Sequence, residues 1–145
     1  MYCTLEDLKK RLPEDSILQL ADDTGAGTLE DDAVMAVINE AIEAADAEID
    51  AYVGRVRETP LAPVPALIAN MAADMAVQAL YMRPHGLAIP EKWTAAMERH
   101  LKALRLIADK KLALGAAEGE TAAPATNTAR TAADQGRLAA LKELF

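Results

Sequence analysis

Apolar residues recur at three- and four-residue intervals along most of the chain, which is the period of helices and not of strands. In "CTLEDLKKRL" Leu5, Leu8 and Leu12 share one face, and Thr4 with Asp7 three residues later approximates a capping box. Pro13 suits the first turn of a second short helix, "PEDSILQLAD". "DDTGAGT" then reads as a loop around Gly25 and Gly27. A long helix over residues 29–53 follows. Val34, Ile38, Ala41, Ile42, Ala45, Ile49, Tyr52 and Val53 make one stripe on it, and Asp32, Glu43, Asp46 and Asp50 lie on another face. Gly54 marks its end.

The next segment, "RVRETPLAPVP", carries Pro60, Pro63 and Pro65. Residues that precede prolines avoid the helical region, so this elbow should run extended, reverse the chain and set the approach of the following helix. That helix, "PALIANMAADMAVQALYM", is apolar on nearly every side and should be central and buried. Asp74 lies within it. A buried carboxylate needs a partner, and Arg55 across the elbow is the candidate. "RPHG" ends the segment, and Pro90 opens a last helix running to Leu114. Trp93, Met97, Leu101, Leu104, Ala108 and Leu112 or Leu114 share its face, with Gly115 as the cap. Beyond it, "AAEGETAAPATNTARTAADQG" has few large apolar residues and should be flexible or extended. The closing "RLAALKELF" places Leu138, Leu141 and Phe145 at turn spacing, a candidate docking element on a tether. The expectation is an all-α bundle of four to five helices over residues 1–115, with a C-terminal tail over 116–145.

Composition supports the helical reading. Apolar residues are 52% of the chain but aromatics only 3%. Alanine supplies much of the apolar share and is the best helix former, while strand-favouring residues are sparse. The 145 residues suit one domain able to bury a core without metals or disulfides. The net charge is −8, which disfavours sequence-reading contact with nucleic acid. Charge is unevenly spread. Residues 14–58 hold 13 acids against Arg55 and Arg57, whereas residues 81–114 hold seven bases against three acids. Regions of opposite sign allow head-to-tail stacking of copies, although each is also compatible with a solvated helix face. A single cysteine, Cys3, fits a reducing cytoplasm, and the N-terminus lacks the basic and apolar regions of a signal peptide. Residues 61–82 carry Asn70, Asp74 and Gln78 among their apolar side chains and do not read as a membrane span.

Candidate chemistry is thin. His85 and His100 are 15 residues apart, without a Cys or His at ligand spacing. His85 reads as an exposed turn residue and His100 as a boundary residue of its helix. Ser16 has no base nearby, Cys3 has no local activation, and the glycines at 25 and 27 lack the ending of a phosphate loop. No enzyme, cofactor or metal site is expected.

"MYCTLEDLKKRLPEDSILQLADD", "DDAVMAVINEAIEAADAEIDAYVGR" and "TPLAPVPALIANMAADMAVQALY" together resemble the Mu-type small virion-morphogenesis proteins of tailed phages and prophages. The matching positions are Met1, Tyr2, Thr4, Asp7, Leu8, Leu18, Gln19, Leu20, Asp22, Ile49, Asp50, Tyr52, Arg55, Pro60, Leu61, Val64 and Pro65, with Asp74 at the family's acid in its central helix. Val56 departs from the aromatic usual after the arginine. The family looks similar to helical head–tail connectors, or adaptors, and that likeness implies a structural role. Several copies, twelve by analogy with the portal, would form a ring at the head–tail junction of the virion. Each copy would be made in the bacterial host cytoplasm. Its partners would be itself, the portal protein and a downstream stopper or tail protein, with DNA passing through the channel without sequence-specific contact. Under this reading Glu43, Asp46 and Asp50 are candidates for the channel lining or a subunit contact. Arg99, Lys102, Arg105 and Lys110 are candidates for meeting a neighbour, and Arg55, Pro60, Pro63, Pro65 and Asp74 form the elbow that sets the subunit's wedge. Reversing Asp46 and Asp50 should then leave the monomer folded. Two alternatives remain: another morphogenesis factor such as a tail terminator, and a free acidic module that binds a basic protein or mimics DNA.

Overall fold

Start signals in the sequence set where the helices begin in the computed structural model, which describes residues 1–84 and 87–114. Asp7 accepts hydrogen bonds from the Thr4 amide at 2.9 Å and the Thr4 hydroxyl at 3.2 Å, and α1 (Leu5–Lys9) follows. Pro13 precedes α2 (Glu14–Ala21). Asp31 caps α3 (Asp32–Val53), accepting from the Ala33 and Val34 amides at 3.0 and 3.3 Å. Pro65 and Pro90 stand just before α4 (Ala66–Tyr81) and α5 (Glu91–Ala108). No strand occurs among the described residues. Between α2 and α3 the Asp22 carboxylate accepts from the amides of Thr24, Gly25, Ala26 and Gly27, at 2.9–3.3 Å. These four bonds turn the chain inward around one side chain. Gly25 and Gly27 adopt φ of +79° and +77°, which glycine reaches without steric cost.

α4 is the central element and packs against each of the other four helices. Ile68, Met71, Ala72, Ala73, Met75, Ala76, Val77 and Leu80 are buried along it, as its all-round apolar pattern requires. α3 lays Val34, Ile38, Ala41, Ile42, Ala45, Ile49 and Val53 inward, and α5 adds Trp93, Ala96, Leu104, Ile107 and Ala108. Each fully buried isoleucine or leucine contributes about 1.5–3 kcal/mol. Residues 1–113 form one compact unit.

The structure corrects the sequence reading of the fold at three places. The long helix begins at Asp32 and not at residue 29, because the Asp31 carboxylate caps it there. The elbow does not run extended; it bends around Pro60 and Pro63, with cis peptide bonds before both. Leu61 between them is only 5% exposed, so the chain turns back to bury it. α5 also stops earlier than its apolar spacing suggests. The Lys110 amide donates to Ile107 O at 3.0 Å and the Lys111 amide to Leu106 O at 2.8 Å, the two bonds of a Schellman cap. Lys110 therefore occupies the left-handed position, at φ 63°, and Leu112 leaves the inner stripe with 37% exposure. Gly115, the expected cap, lies outside the described residues. A left-handed lysine is strained where glycine is not. Lys110→Gly should raise stability by about 0.5–1 kcal/mol, read as a higher urea midpoint. An unchanged or lower midpoint would contradict the cap assignment.

Candidate functional site

The first polar cluster is built around the second residue. Tyr2 is 5% exposed, and its hydroxyl donates to Asp50 Oδ1 at 2.5 Å while accepting from the Leu61 amide at 2.9 Å. Its own amide is shared between the two carboxylate oxygens of Asp46, at 3.2 and 3.3 Å. One tyrosine thus clasps the N-terminal segment, the last turns of α3 and the elbow. Burial, then the hydrogen bond to Asp50, pushes the Tyr2 phenol up to about 12. Burial likewise lifts Asp46 above its ordinary value, with Asp50 and Glu43 adding and the Tyr2 amide opposing. The clasp changes one expectation. Asp46 and Asp50 are half-buried and tied to Tyr2, so reversing their charge is now expected to open the clasp instead of leaving the fold intact.

Cys3 sits beside the clasp at 2% exposure, and burial followed by the charges of Asp46 and Asp7 pushes its thiol up to about 12. It should resist iodoacetamide at pH 8 in the native protein and react at once in denaturant, since the thiolate is the reactive form. Rapid native labelling would show that the N-terminal segment is not docked.

The second cluster centres on Asp74, which is half-buried with its side chain 21% exposed. Arg11 Nε donates to Asp74 Oδ1 at 2.6 Å and His100 Nε2 to Oδ2 at 2.8 Å. Arg11 also donates to Asp7 O at 3.1 Å and to Asn70 Oδ1 at 3.2 Å. The carboxylate therefore joins the end of α1, the middle of α4 and the middle of α5. Burial alone would raise its pKa, but the hydrogen bonds and charges of His100 and Arg11 outweigh it and hold the carboxyl below its usual value. Arg55 is exposed and is not among the partners of Asp74, contrary to the sequence reading. It belongs to the exposed turn after α3, whereas Asp74 faces α1 and α5. A third contact joins Arg83 to Leu20 O at 2.7 Å and to the Asp23 carboxylate, pinning the end of α4 to the end of α2.

The remaining candidates fall outside these clusters. Glu43 is exposed, and so are Glu40 and Glu48 on the same outward side of α3. Arg99, Lys102, Arg105 and Lys110 are all exposed. Pro60 and Pro63 are exposed and Pro65 is half-buried. His85, Leu138, Leu141 and Phe145 lie outside the described residues. Spacing did not reveal the roles of Tyr2, Arg11 and His100, because their partners are 44 or more, 63 and 26 residues away in sequence. Among the described residues no group of three metal-ligating side chains occurs, and no helix is long and apolar enough to cross a membrane.

A family model described as "Bacteriophage Mu, Gp36" matches residues 2–133. A search of curated proteins gives no match.

Proposed function

The chain belongs to the Bacteriophage Mu Gp36 family, and we propose that it is a structural virion protein, a head–tail connector that forms a ring beneath the portal, extends the DNA channel and receives the tail. The observation that carries this reading is what the motif residues do. Tyr2, Asp50, Leu61 and Asp74, four of the residues that carry the family resemblance, join helices and elbow through long-range hydrogen bonds. A subunit that must repeat around a closed ring needs a fixed wedge, and long-range polar clasps supply it.

Quantitative mass spectrometry of purified particles tests the proposal. A fixed copy number equal to that of the portal protein, with the chain retained on heads separated from tails, is the expected result. Absence from particles would overturn it and favour a free acidic module. Retention with the tails would favour a tail terminator.

A further inference from the structure

We propose that the outward face of α5 docks on the outward face of α3 in a second copy of this chain, as the contact that propagates the ring. The inference rests on the connector reading. On α5 the exposed side carries Arg99 and Lys102 and, one turn further on, Leu106, a large apolar side chain left 38% exposed. On α3 the exposed side carries Glu40 and Glu43 beside Ala44 and Ala47. None of the four charged residues has an ion-pair partner among the described residues, and the interior acids Asp46 and Asp50 are already engaged by Tyr2.

The two faces complement each other in three respects. Their charges are opposite, which favours this pairing and disfavours α3 against α3 or α5 against α5. Their spacing matches: Glu40 and Glu43 are three residues apart, as are Arg99 and Lys102, which places each pair about 4.5 Å apart along its helix axis. Their relief also matches: Ala47 follows Glu43 by four residues as Leu106 follows Lys102, so the small side chains of Ala44 and Ala47, just beyond the glutamates, leave room for a protruding leucine and let two helices approach closely. Within one copy the faces cannot meet. α3, α4 and α5 pack pairwise, so the outward sides of α3 and α5 point away from the shared core in different directions. A surface that seeks a different surface on the next copy makes a heterologous contact, which closes into a ring or runs on as a filament.

Complementation of a phage deleted for this gene tests the contact, with three variants of the full chain. One carries Arg99→Glu and Lys102→Glu, the second Glu40→Lys and Glu43→Lys, and the third all four changes. All four sites are exposed, so each variant should melt with the intact chain, and melting is measured first. The two single-face variants should lower the plaque titre by at least about a hundredfold, because every contact in the ring becomes like-charged. The chain with all four changes restores opposite charges at every contact and should recover most of the titre. Full titre from either single-face variant would overturn the contact, and so would a four-change chain no better than the single-face variants. Failure of the connector reading looks different: the chain would then be absent from purified particles or retained with separated tails, whatever the three variants do to the titre.

Discussion

Tyr2→Ala should lower the stability of the chain by about 3–5 kcal/mol, the range for deleting a buried aromatic side chain. Tyr2 is 5% exposed and is the only side chain joining the N-terminal segment to both α3 and the elbow through hydrogen bonds among the described residues. Tyr2→Phe keeps the ring and separates the two contributions. It leaves the buried Leu61 amide without its acceptor, at about 1–3 kcal/mol. Alkali should act in the same place. The phenol titrates at about 12 in the folded chain against an ordinary 10.0, so the unfolded chain releases this proton first as pH rises. The stability Tyr2 contributes is complete below pH 10 and is lost towards pH 12, a step that the phenylalanine chain lacks. Urea titrations of the three chains, with native Cys3 labelling as the local readout, check this. A Tyr2→Ala chain within 1 kcal/mol of the parent, with Cys3 still protected, would contradict the clasp.

Asp74→Ala should destabilise by about 2–4 kcal/mol, somewhat below the usual range for breaking a fully buried pair because Asp74 retains some exposure. Its removal leaves Arg11 and His100 facing each other without the carboxylate that joins them. Asp74→Asn should fall between, since it keeps the shape and loses the charge. Arg55→Ala is the control. The Arg55 side chain is exposed and has no hydrogen bond or ion pair among the described residues, and its backbone bond to Tyr52 O survives the change, so its loss should stay within about 0.5 kcal/mol. The acid limb carries the same information. The folded-state pKa of Asp74 lies below its ordinary 3.8, so its contribution is present above pH 3.8 and disappears as pH falls through the folded value. The Asp74→Ala chain should be flat across that window relative to the parent. Equal acid sensitivity in both would contradict the assignment.

The helices were legible in the sequence because their signals are local. Proline starts, the Asp7 box and the inner stripe of α3 all act within one or two turns, and the structure places them as read. The burial of α4 followed from its apolar character on every side. The end of α5 was misread because apolar spacing continues past Ala108 to Leu112 and Leu114. A Schellman turn with a lysine in the left-handed position stops the helix there, and lysine gives no warning of that conformation. Asp74 was recognised as an acid needing a partner, but the nearest arginine past the elbow was the wrong one. Arg11 is 63 residues away in sequence and reaches Asp74 only because α1 packs on α4. Tyr2 entered only as a matching residue of the resemblance. Its role depends on α3 and the elbow converging on the N-terminus, which no periodicity encodes. The basic candidates on α5 and Glu43 on α3 remain on the surface, while Asp46 and Asp50 turn inward.

Electron microscopy of lysates from a phage or prophage deleted for this gene, with and without the intact gene supplied in trans, tests the connector role most directly. DNA-filled or leaking heads beside separate, finished tails, restored to joined particles by the intact gene, are the expected result. Normal joined, infectious particles in the deletion lysate would contradict it.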